Sequence, residues 1–457
     1  MRYNWLLVLT GAGALVGAEP WSRFRGPNGT GVSGDRGFPL KFGKSENLVW
    51  RTPVRPGKSS PVLSERHVFL TGAEGTKLYT QCFDRETGKL LWEREEERAR
   101  SPIGNALNHA AAISAATDGS NVYVFFKDYG MISYDALGKP RWRVPLGPFN
   151  TSMGLGSSPV VAGGSVMIVA DQLDGSFAAA FDARNGEMKW KTARGETEGW
   201  GSPFVLGKHL ITASRGQFGA YDLASGKRVA THEGMGSAIV ASPAFENGMM
   251  YVFGYASDAP SPFTTRLSKF DRNNDGQLTA DEYGEDPFVH AIARYRGNRD
   301  MVVTKDEWDA RQVEIGGATS LTGLRVSQDG GKIRTEEVWR FEKGFVGVIP
   351  SPLAYQGVVY VVKNGGILMA FDGATGKQHK AGRLDGSPGG YSSSPVAAEG
   401  RVYIASEEGK ISVLKAGPEW EVVQVNDLDE GCFATPALSG GSLYVRTSLA
   451  LYRFGSR

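Results

Sequence analysis

Apolar residues in this chain fall in short runs separated by glycine, asparagine and aspartate. From Ser157 to Ala162 the chain is apolar and stops at Gly163-Gly164. Ser165 to Ala170 is a run rich in branched side chains, Phe177 to Phe181 alternates, and Glu187 to Thr192 carries Trp190 after a glycine turn. Runs of this length between turn residues predict strands of an antiparallel sheet, here four in succession.

The four-strand unit repeats. A strand ending in aromatic-Asp, a turn closing in Gly, and a Trp recur from Cys82 to Trp92, Ser133 to Trp142 and Ala180 to Trp190, with weaker copies from Ala220 and Ala370. The Asp can cap its own turn, the Gly supplies positive φ, and the Trp offers a large apolar face to the neighbouring sheet. A second phrase, Ser-Pro followed by small and apolar residues, keeps step at Pro61, Pro159, Pro203, Pro243, Pro352 and Pro395, with Thr435-Pro436 as a variant. Periods in the low forties built from short strands predict a propeller. First strands are expected near Ser59, Ala111, Ser157, Gly201, Ala241, Pro350, Ser393 and Ala434, which gives eight blades; the degenerate second unit leaves seven as the alternative.

The last unit has three strands, and its fourth is expected at Val49-Trp50-Arg51, which matches Val338-Trp339-Arg340. That pairing would close the ring and remove two exposed sheet edges. The step from Pro243 to Pro352 is far longer than its neighbours and marks an insertion. The sequence therefore divides into residues 1–18, an N-terminal extended segment 19–46, a first propeller part 47–257 that includes the closing strand, an insert 258–315, and a second propeller part 316–457. The expected fold class is all-β: an eight-bladed β-propeller of four-stranded antiparallel blades with a small α-helical EF-hand insert.

The insert carries the sharpest chemical motif. From Asp271 to Glu282 it fits the twelve-residue EF-hand loop: Asp271, Asn273 and Asp275 at positions 1, 3 and 5, Gly276 at 6, the Gln277 carbonyl at 7, Thr279 at 9 and Glu282 at 12. Calcium takes six to eight oxygens at about 2.4 Å, and this spacing supplies them. An eroded copy ends at Glu307, with Thr304, Asp300 and Asn298 in register. Arg296 at its first position and Met301 at its sixth oppose a metal, so it is expected to be a metal-free partner whose Val303 pairs with Leu278. Asp286-Pro287 is expected to start the helix between them.

Charge changes this picture little. Lys plus Arg number 51 and Asp plus Glu 49, without a basic block, which excludes a nucleic-acid partner. Met1 to Ala18 reads as a signal peptide, with Arg2, an apolar stretch from Trp5 to Val16 and a small-residue cleavage site. No cysteine follows that site, and the apolar stretch is short for a membrane span, so a periplasmic or secreted location without a lipid anchor is expected. Cys82 and Cys432 are expected as two thiols, with a disulfide as the alternative in an exported chain. The six histidines show no metal-ligand spacing.

The repeats resemble those of the pyrroloquinoline-quinone (PQQ) type propellers, whose tryptophan-docking motif is Ala-x-Asp-x-x-x-Gly-x-x-x-Trp. The resemblance runs from about Asn47 to Gly455 outside the insert, and the opening Trp21 to Ser33 is similar to the start of exported bacterial PQQ-like proteins, some with EF-hand segments. It implies one of two functions. Quinoprotein dehydrogenases hold PQQ and calcium on the axis and oxidise alcohols or sugars with an Asp base; other members are non-catalytic scaffolds. This chain lacks an adjacent Cys pair, and no axial acid set can be matched. Its first strands begin instead with Ser60, Ser158, Ser202, Ser242, Ser351, Ser394 and Thr435, small residues expected to pack around the axis.

The reading is an exported calcium-binding propeller acting as a binding or scaffold module, with a PQQ- and calcium-dependent dehydrogenase as the alternative. Calcium is the expected cofactor and PQQ the less favoured one. The expected partner is a protein, peptide or glycan of the cell envelope. Loops between a blade's last strand and the next blade's first should bring Asn108, Met153, Trp200, Met235, Phe345, Tyr391 and Phe433 to the axial mouth, as a ligand site or as a plug. Arg23 and Arg25 are expected to pin the N-terminal segment to the ring or to hold an anion.

Overall fold

The computed structural model describes residues 20–456 apart from 99–107, 152, 197–198, 215, 236–239, 255–261, 285, 287–288, 291, 294–296, 299, 316–318, 330–331, 344 and 346–348. The expected signal peptide, Pro287 and Arg296 lie outside the described residues. The chain forms eight four-stranded antiparallel sheets arranged as the blades of a propeller. Strands are named A to D from the axis outward. The A strands start at Val62, Ala116, Val160, Phe204, Ala244, Leu353, Val396 and Ala437.

Seven of these starts lie three residues beyond the expected position. In blade 2 the offset is five, because Ala115 stands where the other blades have Pro and the marker that fixes the register is missing.

Blade 8 is closed from both ends of the chain. Leu48–Pro53 pairs antiparallel with Ala450–Phe454, with Trp50 opposite Arg453 and Arg51 opposite Tyr452. Its order places the N-terminal strand outermost.

At five of the eight junctions the repeated Trp holds one blade to the next. Trp50, Trp92, Trp142, Trp190 and Trp339 lie on the turn glycines Gly88, Gly138, Gly186, Gly226 and Gly376 of the following blade, and a methyl group there would meet the ring within 2.4–2.7 Å. Each of these glycines also has φ between 71° and 77°, so two constraints exclude a side chain. Each indole N–H donates to a carbonyl of the same turn, as from Trp50 to Arg85 O at 3.1 Å. The Asp of the motif caps the turn: Asp84 Oδ1 accepts from the backbone of Glu86 and Thr87.

Between strands B and C of blade 5, from Gly254 to Ser320, the chain leaves the sheet to form the insert. Its described helices are α1 (Phe263–Phe270), α2 (Ala280–Tyr283) and α3 (Lys305–Ile315), packed around Phe263, Leu278, Tyr283, Val303 and Trp308. Among the described residues no helix is long and apolar enough to cross a membrane. Cys82 and Cys432 are buried and unpaired in separate cores, and burial raises the Cys432 thiol to about 12.

Candidate functional site

One residue of each blade, just before strand A, builds a ring about the axis. Ser60 N–H donates to Ser114 Oγ at 2.9 Å, Ser114 to Ser158 at 3.1 Å, Ser158 to Ser202 at 2.9 Å and Ser202 to Ser242 at 2.8 Å. Ser242 continues to Ser351 at 2.9 Å, Ser351 to Ser394 and Ser394 to Thr435 Oγ1 at 3.0 Å each, and Thr435 N–H returns to Ser60 Oγ at 3.0 Å. The Ser-Pro phrase explains the geometry. Proline keeps the preceding residue extended, and a serine is small enough for eight backbones to converge. Seven of these positions are the small residues expected to pack around the axis; the eighth, Ser114, has no proline after it and so no marker in the sequence.

All eight ring residues line an axial cavity of about 350 Å³, a volume within the usual range for small-ligand pockets. The N-terminal segment spans the far end of the axis. Trp21 O and Ser22 O accept from Leu63 and Thr117 of blades 1 and 2, Asn28 Oδ1 accepts from Val205 of blade 4, and Gly31 pairs with Ala397 of blade 7. Phe24, carried by this segment, closes the cavity floor.

At the other end the D–A loops form the mouth. Four of the seven predicted mouth residues line the cavity: Asn108, Met153, Trp200 and Phe433. The other three do not, and the expectation is corrected for them. Met235 ends strand D of blade 4 and is buried between blades 4 and 5. Phe345 turns away from the axis to pack on Phe253, Phe341 and Phe371. Tyr391 is wholly buried and donates its hydroxyl to Ser387 O at 2.7 Å. In each case a large, mostly apolar side chain gains more by filling the gap between blades than by facing an open mouth. Lys58, Val240 and Ile349 line the cavity and were missed; a loop position before a Ser-Ser-Pro phrase is the signal that would have found Lys58.

Trp200 is set by the neighbouring D–A loop, the one between blades 2 and 3. Its Nε1 donates to Gly154 O at 2.8 Å. Behind it lies a buried charge network. Arg194 donates to Asp171 Oδ1 at 2.7 Å, Ser214 Oγ at 2.7 Å, Thr212 Oγ1 at 3.0 Å and the Tyr221 hydroxyl at 2.6 Å. Glu196 completes it through Arg228 at 2.7 Å.

The mouth is electropositive on the side of blades 1 and 2. Lys58 Nζ sits over the Phe433 ring at 4.1 Å; burial lowers its pKa and Glu407 opposes that shift. His109 is pulled down to about 4 by burial and by Arg446, Lys58, Arg98 and Lys127. Among the described residues the cavity lining contains no Asp, Glu or His.

In the insert, the first loop and the described part of the second face one another through an antiparallel bridge between Leu278 and Val303, with N–H···O distances of 3.0 and 2.9 Å. In the first loop Asp275 Oδ1 accepts from Gln277 N, Asp271 Oδ2 from Gly276 N, and Glu282 Oε2 from Thr279 N. Asp271 Oδ1 is buried without a hydrogen-bond partner, which suits an oxygen placed for a cation. Hydrogen bonds from Thr279 hold the Glu282 carboxyl below its usual range. The second loop repeats the scaffold: Glu307 Oε2 accepts from Thr304 N, and Met301 takes φ 67° where Gly276 has 79°. A side chain is strained in that conformation, yet the turn forms. Among the described residues no group of three or more His, Cys, Asp or Glu is already gathered as a metal cluster.

A search of curated proteins finds no match. Solved structures share the fold. BamB from Moraxella catarrhalis is 13% identical with a TM-score of 0.57, over 89% of this chain and 99% of that one. The computationally designed Ika8 protein is 12% identical with a TM-score of 0.55, over 88% and 98%. A europium-containing methanol dehydrogenase is 12% identical with a TM-score of 0.57, over 93% and 89%. At such identities the likeness speaks for architecture alone. The sequence model of the PQQ-repeat family described as outer membrane protein assembly factor BamB matches residues 42–232 and 330–414, over half of the chain, and the chain belongs to that family.

Proposed function

We propose that this protein is an exported, non-catalytic binding propeller of the cell envelope whose axial mouth receives its partner and whose insert holds one calcium ion. One observation carries the choice between the two functional classes: the described cavity lining offers hydroxyls, aromatic rings, Met153 and Lys58, with no carboxylate to serve as the base of an alcohol oxidation. Aromatic and Met side chains at the axial mouth suit the capture of a protein segment. The family description, an assembly factor of the outer membrane, supports a protein partner.

Two experiments test this. The protein is reconstituted with PQQ and calcium and given a panel of alcohols and sugars with a redox dye. No dye reduction is expected, and turnover would overturn the reading. Envelope extract is then passed over immobilised wild type and a Trp200→Ala, Phe433→Ala variant. Partners are expected on the wild type and lost from the variant; equal retention would place binding away from the mouth.

Calcium in the first loop would be held by Asp271, Asn273, Asp275, the Gln277 carbonyl, Thr279 and Glu282. Its role would be to neutralise three carboxylates and fix the loop between α1 and α2. Calorimetry is expected to show one calcium per chain, and none after Asp271→Ala with Glu282→Ala. Chelation should raise amide exchange in the insert and leave the blades unchanged. Equal heats in the two proteins would sink the assignment, and two ions per chain would show that the second loop binds as well.

A further inference from the structure

We propose that the axial cavity is a carboxylate site: its hydroxyl ring, with Lys58 at the rim and Arg25 buried behind the wall, receives the carboxylate of a ligand whose apolar body rests on Trp200 and Phe433. The inference rests on the reading of the cavity as a binding site and names the chemistry of its occupant.

Three independent features converge. The first is the ring. Each hydroxyl oxygen accepts one backbone N–H from the neighbouring blade, which fixes its position, and each keeps its own proton with no acceptor in the described protein. Eight O–H donors on one cavity wall favour an acceptor-rich group, and a carboxylate offers two oxygens that can bridge neighbouring hydroxyls.

The second is Arg25, on the plug beneath the ring. It is fully buried, its Nη2 donates to Pro352 O at 2.6 Å, and its Nε and Nη1 have no partner. A methyl group on Gly31 would meet Arg25 Nε at 3.3 Å and Pro395 O at 3.2 Å. Pro352 and Pro395 follow ring members Ser351 and Ser394, so the guanidinium lies beside the ring at blades 6 and 7, a buried positive charge behind the cavity wall rather than part of its lining. Burial pulls it down to about 9, and no carboxylate opposes that shift. A buried guanidinium without a counter-charge is destabilising unless an anion approaches it.

The third is Lys58 at the rim, whose ammonium is held on Phe433 beside the cavity. Glu407 acts on Lys58 from behind Ser392, whose hydroxyl it accepts, and it does not line the cavity. Above the ring the walls are apolar, with Met153, Trp200, Val240 and Ile349. With a hydroxyl ring, an ammonium at one side of the rim and apolar walls between, the cavity fits an amphiphilic acid. The C-terminus of an apolar peptide and a free small acid share this chemistry.

The test compares acids with their amides on the intact protein, by calorimetry and Trp fluorescence. The probes are 4-phenylbutyrate against 4-phenylbutyramide, and the tripeptide Ala-Leu-Phe, acetylated, as free acid against C-terminal amide. The acid is expected to bind about tenfold or more tighter than its amide, as one lost charge-assisted hydrogen bond implies. Binding of both the small acid and the peptide acid assigns the site to carboxylates in general, and binding of the peptide acid alone assigns it to a protein C-terminus. Lys58→Gln is expected to shrink the acid-to-amide ratio and Lys58→Arg to retain it. Ser351→Ala should do the same as Lys58→Gln, with Ser351→Thr as the conservative control, since Thr435 already serves in the ring. Trp200→Ala should weaken acid and amide alike. Equal affinity for acid and amide overturns the inference, as does failure of every probe to bind. In either case the binding reading still stands or falls by its own envelope partners.

Discussion

Replacing Trp50 with alanine is expected to lower the stability of the propeller by about 3–5 kcal/mol, the range for truncating a buried aromatic residue. Trp50 is 8% exposed, covers Gly88 of blade 1 and donates to Arg85 O. The same truncation at Trp92, between blades 1 and 2, removes a similar contact and should cost a similar amount. The two differ in position. Trp50 stands on the strand that joins the chain's two ends, so its loss loosens the seam, and an opened seam exposes unpaired strand edges. Around it, Thr52 Oγ1 donates to Gly88 O at 2.7 Å and Arg85 reaches back to Ser439 Oγ at 2.9 Å, so the seam is stitched from both blades. Denaturation midpoints measure the first effect. Light scattering on warming measures the second, and Trp50→Ala should associate at a temperature where Trp92→Ala stays monomeric. Identical behaviour would show that the seam is no weaker than any other junction.

That seam was legible in the sequence because it rests on a repeat. Val49-Trp50-Arg51 matches a segment inside another blade, and a repeat with one strand missing at its end must find that strand elsewhere. The ring of hydroxyls was half legible. Ser-Pro marked seven positions, but the bond from each N–H to the next blade's hydroxyl is a property of eight backbones brought together, which no one repeat displays. Blade 2 shows the limit: without a proline its register slipped by two residues and Ser114 was overlooked. The mouth was the least legible part. Sequence places Phe345 and Tyr391 in the right loops and Met235 at the end of the strand that leads into one, yet whether such a side chain turns toward the axis or into the gap between blades depends on the neighbour's side chains, such as Phe253 and Phe371 around Phe345. In the insert, the pairing of Leu278 with Val303 follows from local spacing and was readable without tertiary knowledge.

The second large effect is expected at Arg194. Arg194 and Asp171 are almost wholly inaccessible, and the guanidinium spans Asp171 at 2.7 Å and Glu196 at 3.6 Å. Arg194→Met keeps much of the side chain's volume but leaves two buried carboxylates facing each other. Glu196 retains Arg228, whereas among the described residues Asp171 keeps only the Ser214 hydroxyl. Removing one partner of a buried pair destabilises by about 3–5 kcal/mol, because the remaining charge is stranded in a low-dielectric interior. The damage should reach the mouth: a methyl group on Gly199, next to Trp200, would meet Asp171 Oδ2 at 2.9 Å, so the network is the bed on which that loop lies. Trp fluorescence should therefore report a loosened Trp200 well below the unfolding midpoint. A second variant separates stranded charge from lost packing. Arg194→Met combined with Asp171→Asn and Glu196→Gln removes the guanidinium and both charges together. If stranded charge is the cause, the triple variant is more stable than Arg194→Met alone, against additivity. A triple variant that is no more stable than the single one would show that the fit of the guanidinium among Thr212, Ser214 and Tyr221, rather than charge balance, is what Arg194 supplies.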